Sequence, residues 1–264
     1  MGLLSRMLER RGADAPSTQK LDLLHASGLS DRELRATWIC ASWLLGYPDE
    51  SVQEQLGMVR KLTTTLPEQT GTPMQRSLDA LEAIPLREQQ SQYVDTFDTR
   101  RRGCLYLTYF SQGDTRRRGM ALVRIKQDFR AAGVEVGTEE LPDHLPTVLE
   151  YAAGHDAARG AKILRANRPG LELLRLHLEE IGSPWHGVLD AVSQTLPPLD
   201  LDDREAVMRL AAEGPEEESV GLEGYGLDGD AADLAARTIA APSSCDHESS
   251  TAPVPIAISR GPQR

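Results

Sequence analysis

The sequence has few aromatic residues and few cysteines, and the shortage of cysteines removes two classes of protein. Phe, Trp and Tyr together make up 5% of the 264 residues. The three cysteines, Cys40, Cys104 and Cys245, are far apart and form no C-x-x-C pair. A disulfide framework and a zinc ribbon need paired, closely spaced cysteines, so neither is expected. Free cysteines are typical of a reducing compartment, and we expect a cytoplasmic protein.

Long apolar runs are also missing. No stretch approaches the roughly 18 apolar residues of a membrane-spanning helix. The segment MGLLSRMLERRG has an apolar run too short for a secretory leader, and Arg6 stands where an N-myristoylation signal requires Ser or Thr. We therefore expect no direct insertion into a membrane.

The motifs of common enzymes and metal sites are absent. The sequence has no G-x-S-x-G, no G-x-x-x-x-G-K-S/T and no H-E-x-x-H. His177 and Glu180 share a helix face, and Cys245–Glu248 holds ligand atoms, but a solvated face and chance composition explain them better. We predict no catalytic residues and no metal site. An enzyme with an unrecognised site stays open as an alternative, which a strongly shifted pKa of His144 in a deep pocket would favour.

Acidic residues are concentrated towards the C-terminus. Residues 213–264 hold ten Asp and Glu against three Arg, so they carry −7 of the net charge of −11. From about Gly214 the chain is rich in Gly, Ser, Pro and Ala, which bury too little apolar area to offset the conformational entropy lost on folding. We predict a partly helical N-terminal extension (1–29), an all-helical domain (30–213) and a mostly disordered acidic tail (214–264).

The region between these ends has the pattern of successive helices. Ser30 with Glu33, and Ser51 with Glu54, have the spacing of N-terminal capping boxes, and apolar residues follow at helical intervals. Gly46 is predicted to end the first helix in a left-handed conformation. Further helix starts are predicted at Pro73, Pro85, Asp114, Pro146, Asp156, Pro169, Ser183 and Asp202.

No convincing strand is found. The run Cys104–Phe110 alternates, but it is equally typical of a buried helix segment. We predict the all-α fold class: a single helical-bundle domain of roughly ten helices with a disordered acidic C-terminal tail.

Segment Tyr93–Gly119 combines five aromatic residues with two arginine triplets, Arg100–Arg102 and Arg116–Arg118. The run Leu105–Phe110 is most simply explained as core, since each large buried side chain contributes about 1.5–3 kcal/mol. The triplets could form a nucleic-acid patch, a solvated helix face or anchors for acidic groups, although cations in the first turn of a helix oppose its macrodipole. A nucleic-acid-binding regulator is the less favoured alternative, because residues 1–212, which include both triplets, carry −4 of the net charge of −11 and are near balance. A steep salt dependence of DNA or RNA binding would favour it.

Several motifs together resemble one family. They are Tyr93-x-x-x-Phe97-Asp98, Cys104–Tyr109, Gly113–Gly119, Leu141-Pro142-Asp143-His144-Leu145-Pro146 and, near the first helix, Leu44–Pro48. On these residues the chain resembles the nitrate reductase molybdenum-cofactor assembly chaperones, the NarJ-type delta subunits of respiratory nitrate reductase.

The resemblance implies a protein that is not an enzyme and binds no cofactor stably. Such chaperones bind the apo catalytic (alpha) subunit of nitrate reductase, including its N-terminal segment, either alone or as an alpha–beta complex. They keep it open for insertion of molybdopterin guanine dinucleotide and delay its docking to the membrane. No nucleic acid is expected as a partner, and the chain is expected to be a monomer or a dimer.

The resemblance also places a partner-peptide site. In related chaperones a Pro-Asp-His loop helps form the peptide groove, and Pro142, Asp143 and His144 match it. We expect the apolar face of the partner segment to lie against aromatic residues, and its basic side chains to meet carboxylates. The predicted site residues are Tyr106, Tyr109 and Phe110 as partly exposed lining, Asp98, Asp114 and Asp143 as acceptors, Arg116 and Arg117 as anchors, and Pro142 and His144 in the loop.

Overall fold

The residues that the structure describes contain eleven α-helices, which confirms the all-α prediction. The computed structural model describes residues 26–113, 115–135, 137 and 140–214. The helices are α1 (Asp31–Leu45), α2 (Glu50–Thr63), α3 (Glu68–Glu82), α4 (Leu86–Tyr93), α5 (Leu107–Gln112), α6 (Arg116–Ala131), α7 (Leu145–Gly154), α8 (Ala157–Ala166), α9 (Arg168–Glu180), α10 (His186–Gln194) and α11 (Leu201–Glu213). A π-helical turn, Val94–Asp98, and a 3-10 turn, Arg101–Gly103, lie between α4 and α5.

Some of the predictions fall outside the described residues. They concern the N-terminal extension up to residue 25, Asp114, and the acidic tail from residue 215 onward with Cys245–Glu248 inside it. The residues that are described all belong to one compact unit, Met1–Glu218. None of the helices in the described ranges is both long and apolar enough to cross a membrane.

The first helix begins as predicted, but its end has a different conformation. Glu33 N donates to Ser30 Oγ, and Ser30 N donates to the Glu33 carboxylate at 2.8 Å, which completes the capping box. Gly46 has φ −68° and ψ 159°, so the predicted left-handed residue is wrong and α1 ends in extended backbone. The Gly46 N–H still bonds the Ser42 carbonyl oxygen at 3.1 Å, so the last turn closes without a left-handed residue.

Two predicted N-caps lie two residues too far along the chain. Asp49, not Ser51, caps α2, because its carboxylate accepts from Val52 N at 2.9 Å. Asp200, not Asp202, caps α11, with Asp203 N donating to it at 2.7 Å. In both cases the sequence offers two acceptors close together, and the earlier one receives the N–H groups of the first turn.

Pro73 lies inside α3 and does not start it, which corrects the prediction. α3 begins at Glu68, directly after Pro67. Gly71 belongs to the helix and lies close to the preceding loop: a Cβ there would be 3.1 Å from the carbonyl oxygens of Thr63 and Leu66. This close approach explains the glycine, which does not interrupt the helix. The helix starts predicted at Pro85, Pro146, Asp156 and Pro169 are confirmed to within one or two residues.

The core is built around α1, which packs against α7 and α10, while α3 also packs on α10. Trp38 in α1 and Trp185 ahead of α10 are 0% and 1% exposed. The Trp38 indole N–H donates to Thr195 Oγ1 at 2.9 Å, and the Trp185 N–H donates to the Leu44 carbonyl oxygen at 3.0 Å. Each indole thus buries its apolar rings with its one donor satisfied.

Two aromatic residues of segment Tyr93–Gly119 belong to this core. The rings of Tyr93 and Phe97 make edge contacts with Trp185, with centroids 5.7 Å and 5.3 Å away. The Tyr93 hydroxyl donates to the Leu45 carbonyl oxygen at 2.9 Å. Both residues are 5% exposed and are part of the core.

The tight turns after Phe97 depend on one glycine. A Cβ on Gly103 would lie 1.8 Å from the Thr96 carbonyl oxygen, so no larger residue fits without a backbone shift. The 3-10 turn that Gly103 closes packs on α9. This contact sets the position from which Cys104–Leu107 leads into α5.

Helix α6 is lightly buried, and its buried residues lie towards its C-terminal end. Only Ile125 and Phe129 of its 16 residues are buried. The Phe129 ring stacks on Tyr151 of α7, with centroids 4.1 Å apart, and the Tyr151 hydroxyl donates to the Asp128 carbonyl oxygen at 3.1 Å. The opposite end of α6 carries the second arginine triplet.

Candidate functional site

Two segments that are distant in sequence pair in front of α5. Leu107 N donates to the Asp143 carbonyl oxygen at 3.0 Å, and Leu145 N donates to the Leu105 carbonyl oxygen at 2.9 Å. This isolated antiparallel bridge sets Tyr106 beside His144. The Pro-Asp-His loop and the aromatic run, which the sequence suggested separately, therefore form one surface.

Asp143 holds the first turn of α5. Its side chain is 0% exposed, and its Oδ2 accepts from both the backbone N (3.1 Å) and the Oγ1 of Thr108. A helix N-terminus has free N–H groups, and a carboxylate is a strong acceptor for them. The expectation that Asp143 faces a partner is not met in this conformation, because the carboxylate is buried and caps α5 from a neighbouring loop.

Arg118 packs on the same carboxylate from α6. Its Nη2 lies 4.0 Å from Asp143 Oδ2, and its side chain is 19% exposed. The guanidinium carbon is 5.8 Å from the ring centroid of Tyr106 and 6.0 Å from that of Tyr109. These distances are those of cation–π contacts, so one arginine joins α6, α5 and the loop.

Tyr106 and His144 form the accessible part of the surface. Their ring centroids are 5.2 Å apart, and Tyr106 is 37% exposed. Burial raises the pKa of the Tyr106 hydroxyl, with a smaller contribution of the same sign from the negative charge of Asp98. Burial lowers the pKa of His144, although the carboxylates of Glu140 and Asp143 act in the opposite direction. Both residues therefore favour their neutral forms near pH 7.

The remaining predicted site residues divide into surface and core. Asp98, Arg116 and Arg117 are exposed, and Tyr109 is half-buried. Pro142 is buried, as is Phe110, which is 4% exposed.

Phe110 agrees with the explanation of its run as core and does not line the surface, because its ring packs on α9. A Cβ on Gly170 would lie 2.4 Å from the Phe110 Cβ, so α9 has a glycine where this ring packs. Tyr109 lies beside it, with ring centroids 5.7 Å apart.

Each arginine triplet has a member that pairs with a carboxylate of this chain. Arg100 pairs with Asp95 at 3.1 Å, whereas Arg118 faces Asp143. The residue at the N-cap position of α6 is Thr115, in place of the predicted Asp114, and the first turn of α6 contains no acidic residue. The structure therefore supports the anchoring role for at least one arginine of the second triplet.

Sequence reasoning missed a buried ionic network on α9 and α10. Glu172 forms an ion pair with Arg168 at 2.8 Å, and it accepts from Arg175 Nε at 2.8 Å and from Ser193 Oγ at 2.7 Å. Arg175 also pairs with Asp190 at 3.0 Å. The spacing of Arg168, Glu172 and Arg175 along one helix is a visible signal, but it does not distinguish an exposed charged face from a buried one.

His177 is 9% exposed, and burial lowers its pKa. Within the described part of the chain, no group of three or more His, Cys, Asp or Glu side chains is placed to hold a metal ion.

Comparison with known proteins identifies the family. Residues 61–190 match the model of the family described as nitrate reductase delta subunit. The chain is 36% identical over 158 residues to the nitrate reductase-like protein NarX of Mycobacterium tuberculosis. The aligned residues are 60% of this chain and 24% of NarX. It is 30% identical over 155 residues to the nitrate reductase molybdenum cofactor assembly chaperone NarJ of Escherichia coli K12, covering 58% of this chain and 66% of that protein. With the probable NarJ of Bacillus subtilis it shares 27% identity over 168 residues, or 63% of this chain and 90% of that protein.

The chain thus spans about a quarter of the length of NarX. It spans 66% of the length of the Escherichia coli NarJ and 90% of that of the Bacillus subtilis protein. The matched region includes the whole of Tyr93–Gly119 and the Asp143 loop. Residues 61–190, and with them the surface around Tyr106 and His144, therefore belong to the nitrate reductase delta subunit family.

Proposed function

We propose that this chain is a molybdenum-cofactor assembly chaperone for a nitrate reductase. It binds the apo catalytic (alpha) subunit, including its N-terminal segment, keeps that subunit open for insertion of molybdopterin guanine dinucleotide, and delays its docking to the membrane. The family match and the printed names of the NarJ relatives support this proposal.

The observation that carries the proposal is the Tyr106–His144 surface. Two neutral rings stand side by side, and Tyr106 is 37% exposed. Beneath them the backbone bridge and the buried Asp143 hold the geometry fixed. A preformed, partly apolar surface loses little entropy when a peptide side chain packs on it, which suits recognition of an apolar and basic segment.

The predicted site residues take two roles in this proposal. Tyr106, Tyr109 and His144 contact the apolar side of the client segment. Asp98 accepts from its basic side chains, and Arg116 and Arg117 anchor the carboxylates. Pro142, Asp143 and Phe110 are buried, so they position the surface from below. Asp114 stays a prediction, since it lies outside the described residues.

The proposed role is not catalytic and involves no stably bound cofactor; molybdopterin guanine dinucleotide goes to the client. The client is the alpha subunit alone or as an alpha–beta complex, the chain acts in the cytoplasm as a monomer or a dimer, and no nucleic acid is a partner. The pairing of Arg100 with Asp95 and of Arg118 with Asp143 supports the last point, because at least these two arginines are directed to carboxylates of this chain.

Calorimetric titration tests the proposal. The full chain is titrated with a synthetic peptide that copies the N-terminus of the catalytic subunit encoded with it, and with a scrambled peptide of the same composition. We expect saturable binding of the first peptide only, weakened about tenfold by Tyr106→Ala. Met208→Ala, at a side chain that is 72% exposed on α11, is the matched control and should bind as wild type does. Equal binding of both peptides, or no heat and no shift in Tm, would contradict the proposal.

A further inference from the structure

Arg118 occupies a site built for a planar cation. Its guanidinium lies against the rings of Tyr106 and Tyr109, at 5.8 Å and 6.0 Å, and beside the buried carboxylate of Asp143. Guanidinium groups stack on aromatic faces and bind carboxylates edge-on, whereas a lysine ammonium is a strongly hydrated point charge. Two aromatic faces with a carboxylate therefore select for arginine.

We propose that Tyr106, Tyr109 and Asp143 form a guanidinium-binding pocket. Arg118 fills this pocket in the free protein, and an arginine of the client segment fills it in the complex. The second statement rests on the proposed function. The first concerns the free protein and is tested without a client.

The carboxylate has capacity for a better-placed cation. Oδ2 accepts from Thr108, but among the described residues Asp143 Oδ1 is buried and has no hydrogen-bond partner. The distance of 4.0 Å from Arg118 Nη2 to Oδ2 is longer than a hydrogen bond. An arginine that is not constrained by α6 can approach both carboxylate oxygens, and such bidentate pairs are the stronger arrangement.

The part of α6 that carries Arg118 is less buried than the part that follows it. Its buried residues, Ile125 and Phe129, lie in the second half of the helix. Ahead of them, Met120 and Val123 are 59% and 48% exposed. The first turn contains arginines and no acidic residue, which opposes the helix macrodipole. Among the described residues, the buried packing of α6 is therefore concentrated away from Arg118.

The same displacement would couple client binding to the position of α6. When Arg118 leaves, Tyr106 and Tyr109 lose the guanidinium that covers them, and both rings become available to the client. Arg118 then acts as an internal competitor that lowers the apparent affinity of arginine-bearing segments.

Chemical rescue tests the pocket in the free protein. Arg118→Ala should have a lower Tm than wild type, and millimolar ethylguanidinium should raise the Tm of this variant by about 2 °C or more. Ethylammonium at the same concentration should not, and neither compound should raise the Tm of wild type or of Arg124→Ala, the matched control on α6. Arg118→Gln replaces the alanine variant if that variant does not fold. Equal effects of the two cations, or an equal shift in Arg124→Ala, would overturn the pocket.

The competitor role is tested with the client peptide. Arg118→Ala should bind the peptide about three- to tenfold more tightly than wild type, as expected when an internal group occupies the site most of the time. The difference should vanish when the arginines of the peptide are replaced with lysine. If wild type binds the peptide and Arg118→Ala binds it no more tightly, the competitor role is overturned and the proposed function stands. Rescue by ethylguanidinium without any peptide binding would support the pocket and contradict the proposed function.

Discussion

Asp143 caps a helix through both the backbone N–H and the hydroxyl of Thr108, which lies 35 positions earlier in the chain. The contact joins the loop before α7 to the first turn of α5. It also aligns the bridge that sets Tyr106 beside His144. A buried acidic residue thus supports a surface on which it is not itself exposed.

The first prediction concerns this cap. Asp143→Ala removes two hydrogen bonds and leaves Thr108 N and Arg118 without their carboxylate, so the free energy of unfolding should fall by about 2–4 kcal/mol. Asp143→Asn keeps an acceptor and should cost less. Urea unfolding measures both variants.

Asp98→Ala is the control for the cap, because Asp98 is exposed and its loss should change the free energy of unfolding by less than about 0.5 kcal/mol. An Asp143→Ala protein with a wild-type midpoint would contradict the capping role. A peptide-binding assay on Asp143→Ala has to be read together with this stability loss.

The second prediction is a pH dependence of stability. Burial lowers the pKa of both His144 and His177 in the folded protein. In the unfolded chain both side chains titrate near pH 6.5, so below this pH the unfolded state takes up protons before the folded state does. The contribution of the two histidines is therefore complete above about pH 6.5 and is lost as the pH falls through their lowered folded pKa values.

Urea unfolding between about pH 7.5 and pH 5.5 measures this effect, in a range above the titration of most carboxylates. The free energy of unfolding should decrease towards the acid end, and His144→Gln with His177→Gln should flatten the decrease. His155→Gln, at an exposed side chain, is the matched control. A double variant with the wild-type slope would show that other groups are responsible.

The third prediction concerns Gly103. Gly103→Ala places a methyl group 1.8 Å from the Thr96 carbonyl oxygen, so the 3-10 turn has to move. The cost should be at least about 2 kcal/mol, as for other steric changes in a packed region. Thermal unfolding measures it.

Gly57→Ala is the opposite case and serves as the control. It lies inside α2 with nothing within 4 Å of the added Cβ, so it should raise stability by about 0.5–1 kcal/mol. If both alanine variants were equally stable, the close approach at Gly103 would not be rigid.

The helices could be predicted from sequence, because apolar spacing and punctuating residues act locally. Ser30 with Glu33, Pro85, Pro146 and Asp156 mark helix starts that the structure confirms. Where two acceptors stand close together, local signals could not choose between them, as Asp49 and Ser51 show.

The arrangement of the site could be predicted only in part. The sequence indicated the motifs around Tyr106 and Asp143, but not that a backbone bridge joins them, since such pairing depends on the whole fold. Asp143 was expected to face a partner and is buried, because burial of a residue in a loop has no periodic signature. The contact of Arg118 with Tyr106 and Tyr109 could not be predicted either, because it depends on how α6 packs beside α5.

The last prediction concerns the buried network on α9. Glu172 is 2% exposed, forms ion pairs with Arg168 and Arg175, and accepts a hydrogen bond from Ser193. Removing one partner of a buried ion pair leaves an uncompensated charge, so Glu172→Ala should lower the free energy of unfolding by about 3–5 kcal/mol.

Arg60→Ala breaks ion pairs with Asp79 and Glu82 at exposed side chains, and should cost no more than about 1 kcal/mol. In Glu172→Leu with Arg168→Met both charges are replaced by apolar groups, so much of the lost stability should return. If this double variant were as unstable as Glu172→Ala, packing and not charge would explain the loss, and urea unfolding of the three proteins distinguishes the two cases.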